Sequence, residues 1–365
     1  MSTANRPPHV CLLTGGGDAP GLNAVVRAFY HAAARRSIVV SASRFGFEGL
    51  LGRADLSPLR IEDVRGILPR GGSVLGCSTK SNPFAPLATE SAAIERRASL
   101  HALVALAVDG LVLAGGDGTM VIARSLGELG VPCVGIPKTI DGDLGATDQT
   151  CGIDTAVETA TRAIDSLHST AESHQRVMIV EVMGRTAGWI ALRAAIAGGA
   201  DAVLIPEIPY DPTRVIAKIR EREALGLRFS IVVIGEGAAS IRGRASEVEP
   251  AHAGRLARLG GAGQKLAEEL AALDVGHEVR VTVLGHLQRG GTPTAADRLL
   301  GTRFGTHAAE LCAERRFGRM VTLRGGEIDS VPLSDVPRVP RTVDPSGELV
   351  RCARAVGIEL GAAST

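Results

Sequence analysis

Aromatic residues are scarce in this chain: Phe, Trp and Tyr supply 3% of its 365 positions. That scarcity removes the stacking platforms on which single-stranded nucleic acid is held. Neither sign of charge is in excess, since 40 Lys and Arg face 39 Asp and Glu for a net charge of +1. A dedicated nucleic-acid surface is therefore not expected. No apolar run reaches about 18 residues, and the opening MSTANRPPHV has no apolar signal core. Neither a membrane span nor a secretory leader is expected. The six cysteines (Cys11, Cys77, Cys133, Cys151, Cys312 and Cys352) form no Cys-x-x-Cys pair. They read as reduced thiols of a cytoplasmic enzyme, not as a disulfide or zinc framework.

What is abundant is glycine where apolar runs end. The organising stretch is 109–148, DGLVLAGGDGTMVIARSLGELGVPCVGIPKTIDGDLGATD. Apolar runs at 111–114 and 131–136 bracket a helical pattern over 120–129, which predicts one βαβ unit with a loop after each strand. Ligands of open parallel sheets bind at such carboxyl ends. The first loop, Gly115-Gly116-Asp117-Gly118-Thr119, permits close backbone approach and opens a helix. Its amides suit phosphate, while Asp117 can hold a metal. The second, Pro137-Lys138-Thr139-Ile140-Asp141-Gly142-Asp143, offers a cation, a hydroxyl and two carboxylates. In an extended loop Asp141 and Asp143 point the same way. Alone, a Gly-rich turn can be only a tight turn, and Asp-Gly-Asp only a solvated one. Together they supply the amide cradle, metal ligand, base and cation of phosphoryl transfer.

Alternating strands and helices continue throughout and predict an α/β architecture. The expected form is two doubly wound parallel-sheet (Rossmann-like) lobes with the active site in the cleft between them. A second Gly-rich turn, Thr14 to Gly21, opens a helix over 22–35 but lacks the Gly-Lys-Ser/Thr of a Walker loop. Further strands are expected at 37–41, 177–182, 202–205, 229–234 and 279–284, with helices at 90–108, 153–175, 186–197, 212–224, 264–273 and 295–314. Residues 45–51 and 69–80 read as loops, 238–263 as a surface excursion, and the proline-bearing tail as looser. Basic groups cluster beside glycines at strand ends: Arg176, Arg185, Arg280 and Arg289, with His286. Arginine's planar fork suits phosphate. Glu236 stands where it could accept bonds from sugar hydroxyls.

In order along the chain, these motifs resemble the 6-phosphofructokinase family over nearly its whole length. They are Gly-Gly-Asp-Ala-Pro-Gly (16–21), Gly-Gly-Asp-Gly-Thr (115–119), Pro-Lys-Thr-Ile-Asp-x-Asp (137–143), Ser-His-Gln-Arg (173–176), Met-Gly-Arg (183–185), Glu236, and Arg280 through Leu-Gly-His-Leu-Gln-Arg-Gly-Gly (284–291). Gly-Gly-Asp-Gly-Thr is shared with NAD kinases and diacylglycerol kinases; the ordered set is specific.

The resemblance implies transfer of a phosphoryl group to the 1-hydroxyl of fructose 6-phosphate, a step of glycolysis. It implies Asp141 as the base and Arg185 as a catalytic cation, with Asp117 a ligand of Mg²⁺. Gly17, Gly116, Asp117, Gly118, Thr119 and Lys80 would line the donor site. Thr139, Asp141, Met183, Gly184, Arg185 and Glu236 would hold the sugar or the transferring group. Arg176, Arg280, His286 and Arg289 would clamp the 6-phosphate, with Arg176 and Arg280 reaching in from a neighbouring subunit of a dimer or tetramer. The donor lobe is expected at 1–152 plus about 288–338, and the fructose 6-phosphate lobe at 153–287 plus about 339–365. Donor choice falls on Gly118 and Lys138. In the family, aspartate and lysine at these positions go with pyrophosphate, whereas glycine at both goes with ATP. Gly118 leaves room for ATP, the favoured donor, and Lys138 could meet the phosphates of either. Two alternatives are a pyrophosphate-dependent fructose 6-phosphate 1-phosphotransferase and a catalytically degenerate regulator that binds phosphosugar or nucleotide; the retained Asp117, Asp141, Asp143 and Arg185 argue against the second. Gly142 replaces the family's asparagine. Arg27 matches part of the bacterial effector pocket, but His31, Leu225 and Leu227 stand where basic residues belong, so weak response to ADP or phosphoenolpyruvate is expected.

Overall fold

The computed structural model describes residues 7–52, 56–79, 81–84, 108–241, 243, 247–249 and 258–362. The first elements are β1 (His9–Thr14), α1 (Leu22–Ala34), β2 (Val39–Ser43), α2 (Phe47–Leu50), β3 (Leu56–Pro58) and α3 (Ile61–Val64). The expected helix over 90–108 lies almost wholly outside the described residues. The chain continues through β4 (Gly110–Gly115), α4 (Asp117–Glu128), β5 (Cys133–Thr139), β6 (Cys151–Gly152), α5 (Ile153–His174), β7 (Val177–Val182) and α6 (Trp189–Ala197). Then come β8 (Ala202–Leu204), α7 (Pro212–Ala224), β9 (Ser230–Gly235), β10 (Glu247–Glu249), β11 (Arg258–Leu259) and α8 (Ala262–Ala272). The last are β12 (Val279–Val283), α9 (Ala295–Ala313), β13 (Arg319–Arg324), β14 (Glu327–Pro332) and α10 (Glu348–Ala355).

Two compact units result. One holds residues 1–140, 144–155 and 289–340; the other holds 141–143, 156–288 and 341–365. The first unit is built on a sheet of order β14-β13-β5-β4-β1-β2-β3, with β6 beside β5. Its interior pairings are parallel and only the outermost, β13–β14 and β2–β3, are antiparallel. Strand β4 is buried along its whole length, as a central parallel strand covered on both faces must be. Alternate residues feed two cores. Leu12, Val112 and Val134 join α1 and α9 on one face. Leu13, Leu113 and Cys133 join Met120, Ala123 and Leu126 of α4 on the other. Helix α1 forms because Leu22, Val25, Val26, Phe29 and Ala33 fall on one stripe, each large side chain contributing about 1.5–3 kcal/mol on burial. Two glycines four apart on α9 let α1 approach: a Cβ on Gly301 would lie 2.8 Å from Gly21 O, and one on Gly305 2.5 Å from Val25 O.

The amino ends of α5 and α9 are tied to each other. Thr294 caps α9 and its hydroxyl also bonds Asp154 Oδ2 at 2.6 Å. Asp297, fully buried in α9's first turn, accepts from Gly152 N (2.7 Å), Thr155 N (2.8 Å) and Thr155 Oγ1 (2.6 Å). Burial pushes its carboxyl pKa up, against the pull of those donors. Removing the carboxylate strands three buried donors. Asp297→Ala is therefore expected to destabilise the first unit by roughly 3–5 kcal/mol, read as a lowered midpoint of that unit's urea transition.

The second unit has a four-stranded sheet, β12-β7-β9-β8, parallel throughout. Strands β7 and β9 are buried along their whole length. One face packs on Val215, Ile216 and Ile219 of α7 and on Leu266 and Leu270 of α8. A small antiparallel pair, β10 and β11, also belongs to this unit. Helix α7 starts where Asp211 accepts from Thr213 N and Pro212 follows at the first helical position.

The structure corrects the sequence reading in several places, among them 45–51, read as a loop, which carries the short helix α2. The tail is ordered: Gly325 and Gly326, both at positive φ, turn the β13–β14 hairpin that completes the first sheet, and α10 follows. The excursion at 238–263 carries β10, β11 and the start of α8. Strand β5 runs on to Thr139, because Pro137 needs no N–H where it pairs with Gly115 and Lys138 pairs with Cys151 of β6.

Candidate active site

In the first unit the strand ends of β1, β4 and β5 carry the glycine loops. Thr119, 5% exposed, fills the space between two of them. A Cβ on Gly15 would lie 2.7 Å from its Oγ1, and a Cβ on Gly115 2.2 Å. Glycine is needed at these two positions so that Thr119 can sit there. Thr14 ties the first loop to the neighbouring 73–79 segment through Gly76 O (2.6 Å) and Ser73 Oγ (3.1 Å), and Gly15 bridges Ser78. Lys80 lies outside the described residues. Gly116 caps α4 without a side-chain bond. Asp117 and Gly118 are exposed in its first turn, where the leading amides of a helix lack intrahelical partners. A Cβ on Gly118 would meet nothing within 4 Å. This end of α4 is open, amide-rich and carries one carboxylate.

Lys138 is 3% exposed. Its Nζ donates to Gly15 O (2.9 Å) and to Gly17 O. Burial lowers its pKa to about 8; nearby Cys77 and Asp18 act against that shift and Arg289 adds to it. Arg289 Nη1 donates to Asp18 O at 3.0 Å, and its guanidinium lies against Gly17. Both cations are thus engaged with the first glycine loop. Burial also raises the Cys11, Cys133 and Cys312 thiols to about 12, so they are core residues and not nucleophiles. All six cysteines are free.

In the second unit Asp141 is half-buried and Gly142 lies at φ +67°. That left-handed turn breaks the extended course on which the parallel placement of Asp141 and Asp143 was expected, so the spacing-of-two argument does not apply. Arg341 N donates to Asp143 O at 2.6 Å. Met183, Gly184 and Arg185 follow β7, and Glu236 follows β9. These ends are neighbours: Val182 is in register with Gly235 and Glu236 N donates to Val182 O at 2.9 Å. Gly237 packs on the Arg185 backbone, where an added Cβ would be 1.9 Å from Arg185 O. His286, exposed, stands in the short turn Gly285–Arg289 after β12, at the same carboxyl end.

Arg176 and Arg280 are not gathered there. Arg176 precedes β7, and Arg280 is in register with Met178 at the amino end of the sheet. A six-residue strand separates them from Arg185, roughly 20 Å at the rise of a β-strand. A residue that the sequence reading missed joins them. Glu278 accepts from Arg176 Nε through Oε2 (2.5 Å) and from Arg280 Nη2 through Oε1. The Arg176 bond, ahead of other causes, holds the Glu278 carboxyl below its usual range. The signal available was the spacing of two between Glu278 and Arg280 at a strand start.

Comparisons with known proteins agree with this layout. The phosphofructokinase family model matches residues 9–312. The chain is 47% identical over 360 residues to an ATP-dependent 6-phosphofructokinase of Chloroflexus aggregans, covering 98% of this chain and 99% of that one. It is 48% identical over 344 residues to a pyrophosphate–fructose 6-phosphate 1-phosphotransferase of Streptomyces coelicolor, covering 92% and 96%. Phosphofructokinase from Saccharomyces cerevisiae superposes with a TM-score of 0.75 at 31% identity, over 90% of this chain but only 45% of the longer yeast chain. On its motifs, its parallel α/β fold and these relatives, the chain belongs to the phosphofructokinase family of phosphotransferases.

Proposed function

We propose that the chain is an ATP-dependent 6-phosphofructokinase, transferring the γ-phosphoryl group of ATP to the 1-hydroxyl of fructose 6-phosphate. The observation that carries the choice of donor is the open surface at Gly118, where a side chain would meet nothing. An acidic residue there would crowd and repel a nucleotide; glycine leaves room for one. Gly17, Gly116, Gly118 and Thr119 form the donor cradle with the first-turn amides of α4. Asp117 fits a magnesium ion, which takes one or two carboxylates and otherwise phosphate oxygens and water. When bound, that ion neutralises charge on the donor's phosphates.

Asp141 accepts the proton of the attacking hydroxyl. Arg185 offsets charge spreading over the transferring group, and needs no rearrangement if its backbone is held beforehand. Thr139, Met183, Gly184 and Glu236 orient the sugar, and its 6-phosphate is met by His286 and by the guanidinium nitrogens of Arg289 other than the Nη1 that holds Asp18 O. Arg176 and Arg280 lie too far along the sheet from Arg185 to serve the same site. They serve that of a neighbouring copy, so the active form is a homo-oligomer, as a tetramer or dimer, in the cytoplasm. The exposed side chains of Val283, at the carboxyl end of β12, and of Leu287, in the turn after it, also suit an interface between copies.

A second reading, the pyrophosphate-dependent reaction, is favoured by the name of the Streptomyces coelicolor relative. Purified protein with Mg²⁺ and fructose 6-phosphate, given ATP or pyrophosphate in parallel, separates the two. Turnover with ATP alone is expected. Turnover with pyrophosphate alone would transfer the assignment to the second reading, and turnover with neither would remove both.

A further inference from the structure

We propose that Lys138 is a positioning residue of the donor site, which acts through the main chain of the first glycine loop and is not itself a ligand of the donor. The inference rests on reading that loop as part of the donor cradle. Its ground is the direction of the loop's peptide groups. Lys138 Nζ takes the carbonyls of Gly15 and Gly17, and Arg289 Nη1 takes that of Asp18. All described peptide bonds are trans, so each carbonyl lies antiparallel to the next residue's N–H. With the carbonyls of Gly15 and Gly17 drawn toward Lys138, the N–H groups of Gly16 and Asp18, both partly exposed residues, are turned away from it. A loop whose amides face outward is an anion-binding concavity. The cations underneath keep it in that form before any anion arrives, which is how binding cost is reduced by preorganisation.

The course of β5 explains why a lysine can do this. Because the strand continues through Pro137 to Thr139, the Lys138 side chain emerges from a paired strand into the protein and not from a solvent-facing loop. Its ammonium is 3.8 Å from where a Cβ on Gly16 would stand. With two main-chain carbonyls as partners and almost no exposure, the ammonium lies beneath the loop that a donor would approach. The charged and titratable groups around it are Asp18 and Arg289 of the neighbouring loops, Cys77 of the 73–79 segment and Cys151 of β6.

The test compares wild type with Lys138→Met, which keeps the length and removes the donors, and with Lys138→Gln, which retains a neutral N–H donor. Amide hydrogen exchange needs no substrate. Exchange across residues 15–21 is expected to rise about 10-fold or more in Lys138→Met, less in Lys138→Gln, with β4 and β9 unchanged. In steady-state kinetics the donor KM is expected to rise about 10- to 100-fold, with the fructose 6-phosphate KM within about 2-fold. A raised donor KM with wild-type exchange in the loop would make Lys138 a direct donor ligand. No change in either would leave it a core residue. Either result overturns the proposal.

Should neither variant fold, wild type alone decides. Its loop exchange, corrected for intrinsic pH dependence, is expected to increase as pH rises through about 8 and the charge-assisted bonds lose their charge. A flat profile overturns the proposal. If wild type turns over no donor, the functional reading fails on its own, and the exchange data still judge Lys138.

Discussion

Replacing Asp141 by Asn is expected to lower kcat about 10³-fold while leaving the fructose 6-phosphate KM within about 3-fold. The size follows from the work assigned to this carboxylate, since a positioned general base is worth about 10²–10⁴ in rate. The split between kcat and KM follows from when the group acts. A base is needed as the hydroxyl attacks, so its loss removes an interaction made in the transition state and spares ground-state binding. Asparagine has the same shape, and Gly142 beside it sets the turn at φ +67°, so the melting midpoint should not move. Parallel assays of rate, KM and thermal melting check all three statements. A loss confined to KM would make Asp141 a sugar ligand and return the base to an open question.

A single methyl group at Gly237 is expected to lower kcat/KM about 10²-fold. The added Cβ would fall 1.9 Å from Arg185 O and 2.8 Å from Arg185 C. Both are main-chain atoms, so no rotamer can relieve the clash. Either the 183–185 turn or the end of β9 must shift by an ångström or more, at a stability cost of about 1–3 kcal/mol. A displacement of that size in a positioning element costs about 10²-fold in rate. Gly127→Ala is the control, because Gly127 lies within α4 and a Cβ there meets nothing within 4 Å. That change should stabilise the protein by about 0.5–1 kcal/mol through the helix preference of alanine. Kinetics with chemical denaturation on both variants distinguish displacement of Arg185 from a general intolerance of alanine for glycine.

The contrast between those glycines shows what the sequence could express. Elements with a signal in their own residues were legible: the bounds read for β7 and α7 match those observed, because β7 is a mostly apolar run between Arg176 and the Met-Gly-Arg turn and α7 opens with its own cap and proline. The parallel α/β architecture followed from such local units in series. Devices built from distant residues were not legible. Helix α8 starts two residues before the reading placed it because Glu181 of β7 accepts from Gly261 N and Gly263 N, a cap supplied from some eighty positions away. Asp297 escaped notice for the same reason, since it holds groups more than a hundred residues distant, and so did the Arg176 half of Glu278's role, although its other partner, Arg280, stands only two positions away.

Two further differences had a local cause that was read the wrong way. Pro137 looked like a strand terminator, yet β5 continues through it, which moves Lys138 from a loop to the interior. Prolines at 332, 337 and 340 made the tail look irregular, although Gly325-Gly326 between two alternating runs is itself a hairpin signal. For the candidate site, the loops and their residue types were visible. The separation of Arg176 and Arg280 from Arg185 was not, because it depends on which end of a strand each occupies.

The order in which the ribosome delivers the chain bears on how the α1–α9 seam can form. Helix α1 is among the first elements made, but the glycines that let it close on its partner are Gly301 and Gly305. At about 5–20 residues per second, that partner emerges on the order of 15–60 s later. Nearly all of the second unit is synthesised in the interval and is an almost continuous segment, 156–288. The segment made later can therefore fold earlier, while Val25 and Phe29 wait for part of their cover. Through that interval the apolar stripe of α1 lacks its α9 cover, and a synonymous codon change that slows translation before residue 300 would lengthen its exposure without altering a single side chain.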